Sequence, residues 1–361
     1  MIIKSIELKD FRNYKDLFIG FDPGTNILYG DNAQGKTNLL EAIYLTGTSK
    51  SYKGARDREM IRFGAEEAHL KTIVEKGDNE FRIDVHLKKN NKGIAINFVP
   101  IKKTGDMFGI LRMIFFSPED LNIIKNGPQE RRKFIDNELC QLDRVYLSNL
   151  KNYYKILDQR NRLLKDIYLN PDLKDTLSVW DEQLISYGVK VIKTRRNFIK
   201  DLSEIAEEIH SSLTKGEEKM EINYDCDSTE ENFSTRLLMN EDRDLKLENT
   251  SVGPHRDDLS IKINGIDMRK FGSQGQQRTC ALSLKLSEIK FMEINIHEKP
   301  VLLLDDVLSE LDKNRQYDLL DSLSDIQTII TCTGLEDFVE NRFELNKIFH
   351  VVNGTISDYE L

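Results

Sequence analysis

The sequence has few cysteines, and their spacing does not indicate metal binding or disulfide bonding. The chain of 361 residues contains four cysteines that lie far apart and form no C-x-x-C pair, together with six scattered histidines. This pattern argues against a zinc site and against a disulfide framework, and it is typical of a reduced protein of the cytosol. We therefore expect a cytoplasmic location.

Membrane and export signals are missing as well. No apolar run approaches the roughly 20 residues that a membrane helix requires. Residues 1–11 alternate apolar and charged side chains and contain no apolar core of a signal peptide. We expect neither a membrane span nor a membrane-bound partner.

The chain also lacks an overall excess of positive charge. Its 52 lysines and arginines are outnumbered by 61 aspartates and glutamates, which gives a formal charge of −9. This balance argues against a basic protein that coats nucleic acid, although net charge does not report where the positive residues lie. The hydrophobic share of 39% is enough for a sizeable core, and the length is typical of two or three domains.

Positive charge is nevertheless concentrated in one part of the chain. Between Arg131 and Lys200 there are 15 basic and 9 acidic residues, a net of +6, so the remainder carries −9 − 6 = −15. Such a segment is typical of contact with phosphate backbones, although solvated helix faces give the same composition. No base-reading motif is present, so DNA binding would be sequence-independent and salt-sensitive. The candidate DNA contacts are Arg131, Arg132, Lys193, Arg195 and Arg196, with a second cluster that includes Lys53 and Arg56.

A glycine-rich loop gives the clearest functional signal. It follows the apolar run Ile27–Tyr29 and precedes a helical pattern from Lys36 to Leu45. Strand, loop and helix in this order form the context of a nucleotide-phosphate loop with the pattern G-x-x-x-x-G-K-[ST]. The loop residues are Gly30, Asp31, Asn32, Ala33, Gln34, Gly35, Lys36 and Thr37.

Each residue type in this loop has a physical role. The glycines allow backbone N–H groups to converge on phosphate oxygens without a Cβ in the way. Lys36 would place a positive charge at the β- and γ-phosphates, and the Thr37 hydroxyl can ligate Mg²⁺. The loop therefore predicts binding of ATP with Mg²⁺.

An acidic pair far along the chain completes this pattern. Asp305 and Asp306 follow the apolar run Leu302–Leu304, which is where a nucleotide hydrolase holds its magnesium ion. Asp305 would bind the metal directly or through water, and Asp306 would face the attacking water as the catalytic residue. The separation 305 − 37 = 268 residues is unusually wide for a simple P-loop kinase or GTPase, and the guanine motif N-K-x-D is absent.

The sequence between these motifs is largely helical. A helical pattern runs from Gln129 to about Ile167, breaks at Asn170-Pro171, and resumes from Leu177 to Ile209 with a spacing near 3.5 residues. Two long helices with a short connection indicate an antiparallel hairpin, and their length favours a projecting arm over simple core packing. Residues 217–250 are acidic and polar and predict a surface segment.

A second polar motif precedes a helix predicted from Thr279 to Phe291. It consists of Ser273, Gln274, Gly275 and Gln276, and small polar groups at a helix start form an anion site. An ordinary helix cap would have the same composition.

Four stretches together resemble the RecF family, ABC-type ATPase heads related to those of Rad50 and SMC proteins. They are Leu8–Tyr14, Asn38–Ile43, Ser251–Asp258, and Ser273–Arg278 taken with Leu284–Leu286. The succession of G-P-H-R-D-D and S-Q-G-Q-Q-R is far more specific than a phosphate loop alone. The resemblance implies an α/β fold, namely a P-loop ABC-type head of residues 1–120 and 246–361 with an inserted helical hairpin lobe at 121–245.

The resemblance also implies a mechanism. Ser273–Gln276 would be the signature motif that contacts, in trans, the γ-phosphate held by a second copy, so ATP would join a head-to-tail homodimer. The implied activity is binding of double-stranded or gapped DNA, slow DNA-stimulated ATP hydrolysis, and assistance to RecA in DNA repair, with RecR and RecO as partners. Leu308–Asp312 resembles the D-loop. Asp306 stands where transporter heads have a glutamate and Thr333 where they have a histidine, which favours slow turnover.

Two other functions are compatible with a phosphate loop. A transporter-type ATPase subunit would need a contiguous head and a membrane partner, which the long basic insert argues against. A structural module that only binds nucleotide would need no Asp306 chemistry. Arg12 is a possible nucleotide contact, and His255 is assigned a structural or interface role because no serine or cysteine nucleophile pattern accompanies it.

Overall fold

The computed structural model describes residues 1–311, 315–316, 319–320, 325–334 and 346–358. In chain order the strands are β1 Ile2–Phe11, β2 Tyr14–Gly20, β3 Thr25–Tyr29, β4 Glu67–Lys76, β5 Asn79–Lys88, β6 Lys92–Ile96, β7 Val99–Pro100, β8 Met113–Phe116, β9 Met220–Asp225, β10 Asp258–Ile263, β11 Ile266–Asp267, β12 Val301–Asp305, β13 Thr328–Cys332, β14 Lys347–Val352 and β15 Thr355–Asp358. The helices are α1 Lys36–Thr48, α2 Asp57–Met60, α3 Leu121–Lys125, α4 Pro128–Leu142, α5 Arg144–Leu169, α6 Leu177–Leu213, α7 Phe233–Met239, α8 Glu241–Leu247, α9 Met268–Phe271 and α10 Gln274–Ile296.

The chain divides into two compact units. The first comprises Met1–Asp120 with Met292–Leu361, and the second comprises Leu121–Phe291. The sequence predicts a return to the first unit at residue 246, whereas residues 246–291 group with the second. The reason is β-pairing, because β10 forms an antiparallel pair with β9, which lies in the inserted segment.

A mostly parallel sheet positions the motifs of the first unit. Its strand order is β15-β14-β3-β13-β12-β8, and every neighbouring pair except β15 with β14 is parallel. All five residues of β12 are buried, as expected of a strand covered on both faces. Because the carboxyl ends of parallel strands share one edge, the loop after β3 and the acids that end β12 meet there, with the end of β13 between them.

Helix α1 fixes the loop that precedes it. It packs against β1, β4 and β5 of an antiparallel sheet and against β8, β12 and β13 of the parallel sheet. Its residues 39–48 are therefore buried all round, which a helix between two layers requires. The antiparallel sheet has the order β2-β1-β4-β5-β6-β7, and its alternating residues, such as Leu70 and Val85, pack into the same core.

The second unit contains the predicted helical hairpin. Arg160 of α5 donates to Asp181 of α6 while Arg195 of α6 donates to Tyr146 of α5, so the two helices run antiparallel. The first predicted helical run is two helices, because Asp143 ends α4 and caps α5 by accepting from Val145 N at 2.7 Å. Within the described parts of the chain, every helix is too short or too polar to cross a membrane.

The segment 217–250, predicted to lie at the surface, is partly core. It forms β9, α7 and α8, and it buries Met220, Ile222, Phe233 and Leu237. Its acidic composition concealed the alternating apolar residues of β9, which pack against α6. Asp244 is also buried, and it pairs with Arg160 at 2.7 Å.

Candidate nucleotide-binding site

The loop between β3 and α1 has a backbone that only particular residues can adopt. Gly30 and Gly35 have φ angles of 149° and 121°, and Ala33 is also in the left-handed region at 66°. A Cβ on Gly30 would lie 2.4 Å from the Val351 carbonyl oxygen, and one on Gly35 would lie 2.5 Å from Asn13 Nδ2. Both positions therefore require glycine, because the backbone is left-handed and neighbouring residues leave no room for a Cβ.

Neighbouring hairpins hold this loop from outside. Asn13 Nδ2 donates to the Gln34 carbonyl at 2.9 Å, and the Tyr14 hydroxyl donates to the Gly35 carbonyl at 3.0 Å. The Gln34 side chain accepts from Asn353 N at 2.7 Å. These contacts keep the loop in shape through residues far away in the sequence.

Lys36 is the buried cation of the site. Its side chain is 6% exposed, and its Nζ donates to the carbonyl oxygens of Gly30 at 2.6 Å and Asp31 at 2.8 Å. Burial lowers the pKa of Lys36, while the nearby Asp306 acts to raise it. Neutral carbonyls do not cancel an ammonium charge, so the loop is suited to an anion such as a phosphate group.

Thr37 and Asp305 meet despite the 268 residues between them. Thr37 Oγ1 donates to Asp305 Oδ1 at 2.9 Å, and Thr331 Oγ1 donates to the same oxygen at 2.8 Å. A hydroxyl and a carboxylate in contact, beside a loop suited to phosphate, form the oxygen donor set that Mg²⁺ prefers. The residues present therefore fit the predicted metal.

Tyr52 and Thr331 also contact Asp305, and the sequence did not predict either of them. The Tyr52 hydroxyl donates to Asp305 Oδ2 at 3.2 Å, and its ring lies 3.9 Å from that of Phe115. Burial raises the pKa of Tyr52, so its hydroxyl stays a donor to the carboxylate. No pattern marks Tyr52, but Thr331 could have been found because it is the penultimate residue of β13, the strand between β3 and β12.

Asp306 lines the same cavity and has an unusual backbone. Its φ of 57° lies in the left-handed region, and its backbone N donates to Thr331 Oγ1 at 3.0 Å. Aspartate tolerates this conformation better than most residues, and such strain is often found at functional sites. The cavity has a volume of about 240 Å³ and is lined by Asn32, Ala33, Gly35, Lys36, Thr37, Asn38, Lys53, Asp306 and Thr331.

Arg12 is engaged elsewhere in this structure. Its guanidinium forms a two-point ion pair with the fully buried Glu41, at 2.7 and 2.8 Å, and donates to the Glu59 carbonyl at 2.8 Å. Ser51 also donates to Glu41. Arg12 does not line the described cavity, so its contact with nucleotide stays a prediction.

The second motif lies at the start of α10 in the second unit. Ser273 Oγ accepts from Gln276 N at 3.2 Å while Gln276 Oε1 accepts from Ser273 N at 3.1 Å, which is a capping box. The Ser273 hydroxyl hydrogen is not used by this cap and can still be donated. Gln274 and Gly275 are exposed, and a Cβ on Gly275 would meet no atom within 4 Å.

Two of the arginines predicted to contact DNA are buried. Arg131 is 3% exposed and pairs with Asp258 at 2.6 Å. Arg195 is fully buried and pairs with Asp136 at 2.8 Å and Asp257 at 3.0 Å. Neither guanidinium can reach a phosphate backbone, so the prediction for these two residues is wrong.

The other predicted cations differ in their surroundings. Arg132 donates to the Asp257 carbonyl at 2.6 Å, and Arg196 pairs with Glu230 at 2.7 Å. Lys53 is exposed but lines the nucleotide cavity, which suits a contact with a nucleotide phosphate better than a contact with DNA. Lys193 and Arg56 are exposed and keep their predicted role as proposals.

His255 is held in a way that suits a structural role. Its Nε2 lies 3.0 Å from the Thr250 carbonyl oxygen and its Nδ1 lies 2.6 Å from the Tyr153 hydroxyl. Since a carbonyl can only accept, Nε2 carries the proton and Nδ1 accepts from tyrosine. Burial lowers the pKa of His255 to about 4, so the neutral ring is the stable form.

Comparisons with known proteins identify relatives over the full length. The chain matches the family described as RecF/RecN/SMC N terminal domain over residues 2–357. It is 64% identical over 357 residues to the DNA replication and repair protein RecF of Agathobacter rectalis, with 99% of each chain covered.

Solved structures agree with this relationship. The fold is similar to a structure of the recombination mediator protein RecF with ATP in the RecFOR pathway, with a TM-score of 0.93, 39% identity, and coverage of 99% of this chain and 97% of that one. It is also similar to an Smc head domain from Pyrococcus furiosus, with a TM-score of 0.58, 18% identity, and coverage of 99% and 96%. At that identity the second comparison shows the fold alone, which is that of an ABC-type ATPase head.

Proposed function

Because this chain belongs to the RecF family of DNA replication and repair proteins, we propose that it is an ATP-dependent recombination mediator that dimerises on DNA. In this proposal, ATP held by Lys36 is contacted by the signature motif of a second copy of the chain. Two such sites form a head-to-tail homodimer that closes when ATP binds and opens after slow hydrolysis.

The surroundings of Gly275 are the observation that carries this proposal. Glycine destabilises a helix relative to alanine, by up to about 1 kcal/mol in a helix interior and by less in the first turn, where Gly275 lies. Nothing in the described chain requires it here, because a Cβ would meet open space. We infer that glycine is present because another molecule comes close to the backbone at this position. The candidate is the γ-phosphate of an ATP held by a second copy of the chain.

Gly275→Ala should therefore stabilise the folded monomer and weaken its ATP-dependent self-association. We expect a gain in unfolding free energy of about 0.5–1 kcal/mol together with a loss of at least about tenfold in ATP-dependent self-association, because an added methyl in a close-packed contact costs roughly 1–3 kcal/mol. Denaturant unfolding and sedimentation with ATP measure the two effects.

Gly127→Ala is the matched control for this change. Gly127 also stands at a helix start, has an ordinary φ of −75°, and has open space around its position. It should leave self-association unchanged. If Gly275→Ala also pairs like the unaltered chain, the trans role of this motif is wrong.

The proposed chemistry follows from the residues around the cavity. When bound at Thr37 and Asp305, Mg²⁺ would offset negative charge on the β- and γ-phosphates. Lys36 binds the same oxygens, Tyr52 orients the Asp305 carboxylate, and Asp306 orients and deprotonates the attacking water. A carboxylate on the short side chain of Asp306, held in a strained backbone, supports slow rather than rapid turnover.

DNA binding is assigned to the exposed cations of the hairpin. Lys193 and Lys200 of α6 are both exposed, and their spacing of seven residues places them on one helix face. Replacing both with glutamine should weaken binding of duplex and gapped DNA of any sequence. We expect the slope of log affinity against log salt to decrease by about two, one for each lost phosphate contact.

The control for this experiment is the pair Lys102→Gln and Lys103→Gln, two exposed lysines of the first unit outside both predicted clusters. Fluorescence anisotropy across a salt series would compare the variants. An unchanged slope for the α6 variant would assign the DNA contacts to other residues, with Arg56 as the next candidate.

The wider role follows from the relatives. A solved relative is a recombination mediator of the RecFOR pathway, so RecR and RecO are the proposed partners, and assistance to RecA at gapped or double-stranded DNA in the cytoplasm is the proposed task. The buried Asp305 in contact with Thr37 argues against a module without ATPase chemistry. Membership of the RecF family argues against a transporter subunit.

A further inference from the structure

Two histidines become neighbours on the outer face of the antiparallel sheet. His69 of β4 and His86 of β5 are direct partners in the antiparallel register. Residues that alternate with them, such as Leu70 and Val85, point into the core, so the histidines point outward. Glu67 lies two residues before His69 and is therefore on the same face.

The three side chains converge. His86 Nε2 lies 2.9 Å from one Glu67 oxygen, and His69 Nε2 lies 3.2 Å from the other. The two imidazole rings stack with centroids 3.9 Å apart, and one ligand atom from each residue lies within 4.8 Å of the others. The side chains are 34–47% exposed, so they can adjust and a dissolved ion can reach them.

The sheet leaves space beside this cluster. The residue of β6 that pairs with His86 is Gly93, which has no side chain to cover the imidazole. On the other side, His69 and His86 line a groove of about 680 Å³ across β1, β2, β4 and β5. We propose that Glu67, His69 and His86 form a binding site for a zinc-like dication on this outer face.

The donor atoms determine which ion this site would take. Two imidazole nitrogens and one carboxylate oxygen suit Zn²⁺, Ni²⁺ or Cu²⁺, whereas Mg²⁺ prefers oxygen donors alone. The site is therefore chemically distinct from the oxygen donors Thr37 and Asp305. Three protein ligands leave a fourth tetrahedral position open to water or to a ligand from another molecule.

Two exposed lysines border the cluster, namely Lys9 of β1, which pairs with His69 in the register of β1 and β4, and Lys88, whose contact with Glu67 must give way. Lys88 Nζ lies 3.5 Å from Glu67, but its side chain is 55% exposed and can turn into solvent. Exposed ion pairs of this kind contribute little to stability, so displacing the lysine is a small cost. A bound ion would link β4 to β5, and it should therefore stabilise the folded chain against unfolding.

Zinc binding by the full chain tests this site. The metal-free protein, without nucleotide, would be titrated with Zn²⁺ in competition with a fluorescent zinc indicator. We expect one site with a dissociation constant in the micromolar range and a rise in Tm with added Zn²⁺. His69→Gln or His86→Gln should weaken binding by more than the roughly 10–100-fold that loss of an outer-shell partner costs, because each removes a direct ligand.

His297→Gln is the matched control, since His297 is exposed and lies outside the cluster. It should bind Zn²⁺ like the unaltered chain. The site is refuted if the unaltered chain takes up no Zn²⁺, or if His69→Gln with His86→Gln binds as tightly as the control. Circular dichroism of each variant establishes that the sheet is folded, which these exposed positions should permit.

Discussion

Asp306→Asn should lower the rate of ATP hydrolysis by about 100-fold or more while ATP binding and ATP-dependent pairing persist. The carboxylate is the proposed base, and loss of a positioned base typically costs about 10²–10⁴-fold in rate. Asparagine matches aspartate in size and tolerates the φ of 57° at this position, so the fold should be preserved. The variant should therefore accumulate as an ATP-bound dimer.

Phosphate release and nucleotide binding would be measured on the same preparation. Asp325→Asn is the matched control, because Asp325 is an exposed carboxylate of the first unit that pairs with Lys299. Its turnover should equal that of the unaltered chain. Normal hydrolysis by Asp306→Asn would show that another group activates the water, and failure to bind ATP would point to a disturbed cavity.

Lys36→Ala should weaken ATP binding by roughly 100-fold, since a hydrogen bond from a charged donor contributes about 1.5–3 kcal/mol and the buried ammonium offers more than one. Self-association and DNA binding that depend on ATP should be lost with it. Lys36→Arg should fail as well, because Lys36 is 6% exposed and the larger planar guanidinium does not fit its contacts with Gly30 and Asp31.

Isothermal titration with ATP and anisotropy with labelled duplex DNA would measure these losses. Lys102→Ala removes an exposed lysine outside the cavity and should behave like the unaltered chain. The gating account fails if Lys36→Ala loses ATP but still pairs and binds DNA at the original affinity. That outcome would favour a module in which nucleotide has only a structural role.

The nucleotide site was largely predictable from the sequence because its determinants are local. The loop Gly30–Thr37 and the acids after β12 each form a contiguous pattern, and a parallel sheet brings such strand ends together. Tyr52 was not predictable, because its contact with Asp305 spans 253 residues and no pattern announces it.

The predicted DNA contacts at Arg131 and Arg195 are wrong because both residues form buried ion pairs. Counting residues showed that the hairpin is basic, but it could not show that Asp258 neutralises Arg131 or that Asp257 neutralises Arg195. Burial of these pairs is a tertiary property, which arises because α4 packs against β10 and α6 packs against the segment Pro254–Asp257 before it. The exposed Lys193 and Lys200 lie in the same helix as the buried Arg195, which is why composition could not separate them.

Long-range strand pairing explains two further features of the structure that the sequence did not predict. The first unit resumes at Met292 and not at residue 246, because β9 pairs with β10 across the predicted domain boundary. The same effect brings His69 beside His86, whereas their spacing along the chain argued against a metal site. The predicted D-loop ends at Asp312, and that residue lies outside the described part of the structure.

Complementation between two inactive variants tests the central claim most directly, namely that ATP at Lys36 is completed by Gly275 of a second copy. Lys36→Ala and Gly275→Gln would each be assayed alone and then mixed, with phosphate release measured in the presence of DNA. A mixed dimer contains one site in which an intact loop faces an intact signature motif. The mixture should therefore release phosphate at a rate well above the sum of the rates of the two variants assayed alone. Hydrolysis equal to that sum, from variants that are folded, would contradict the shared site.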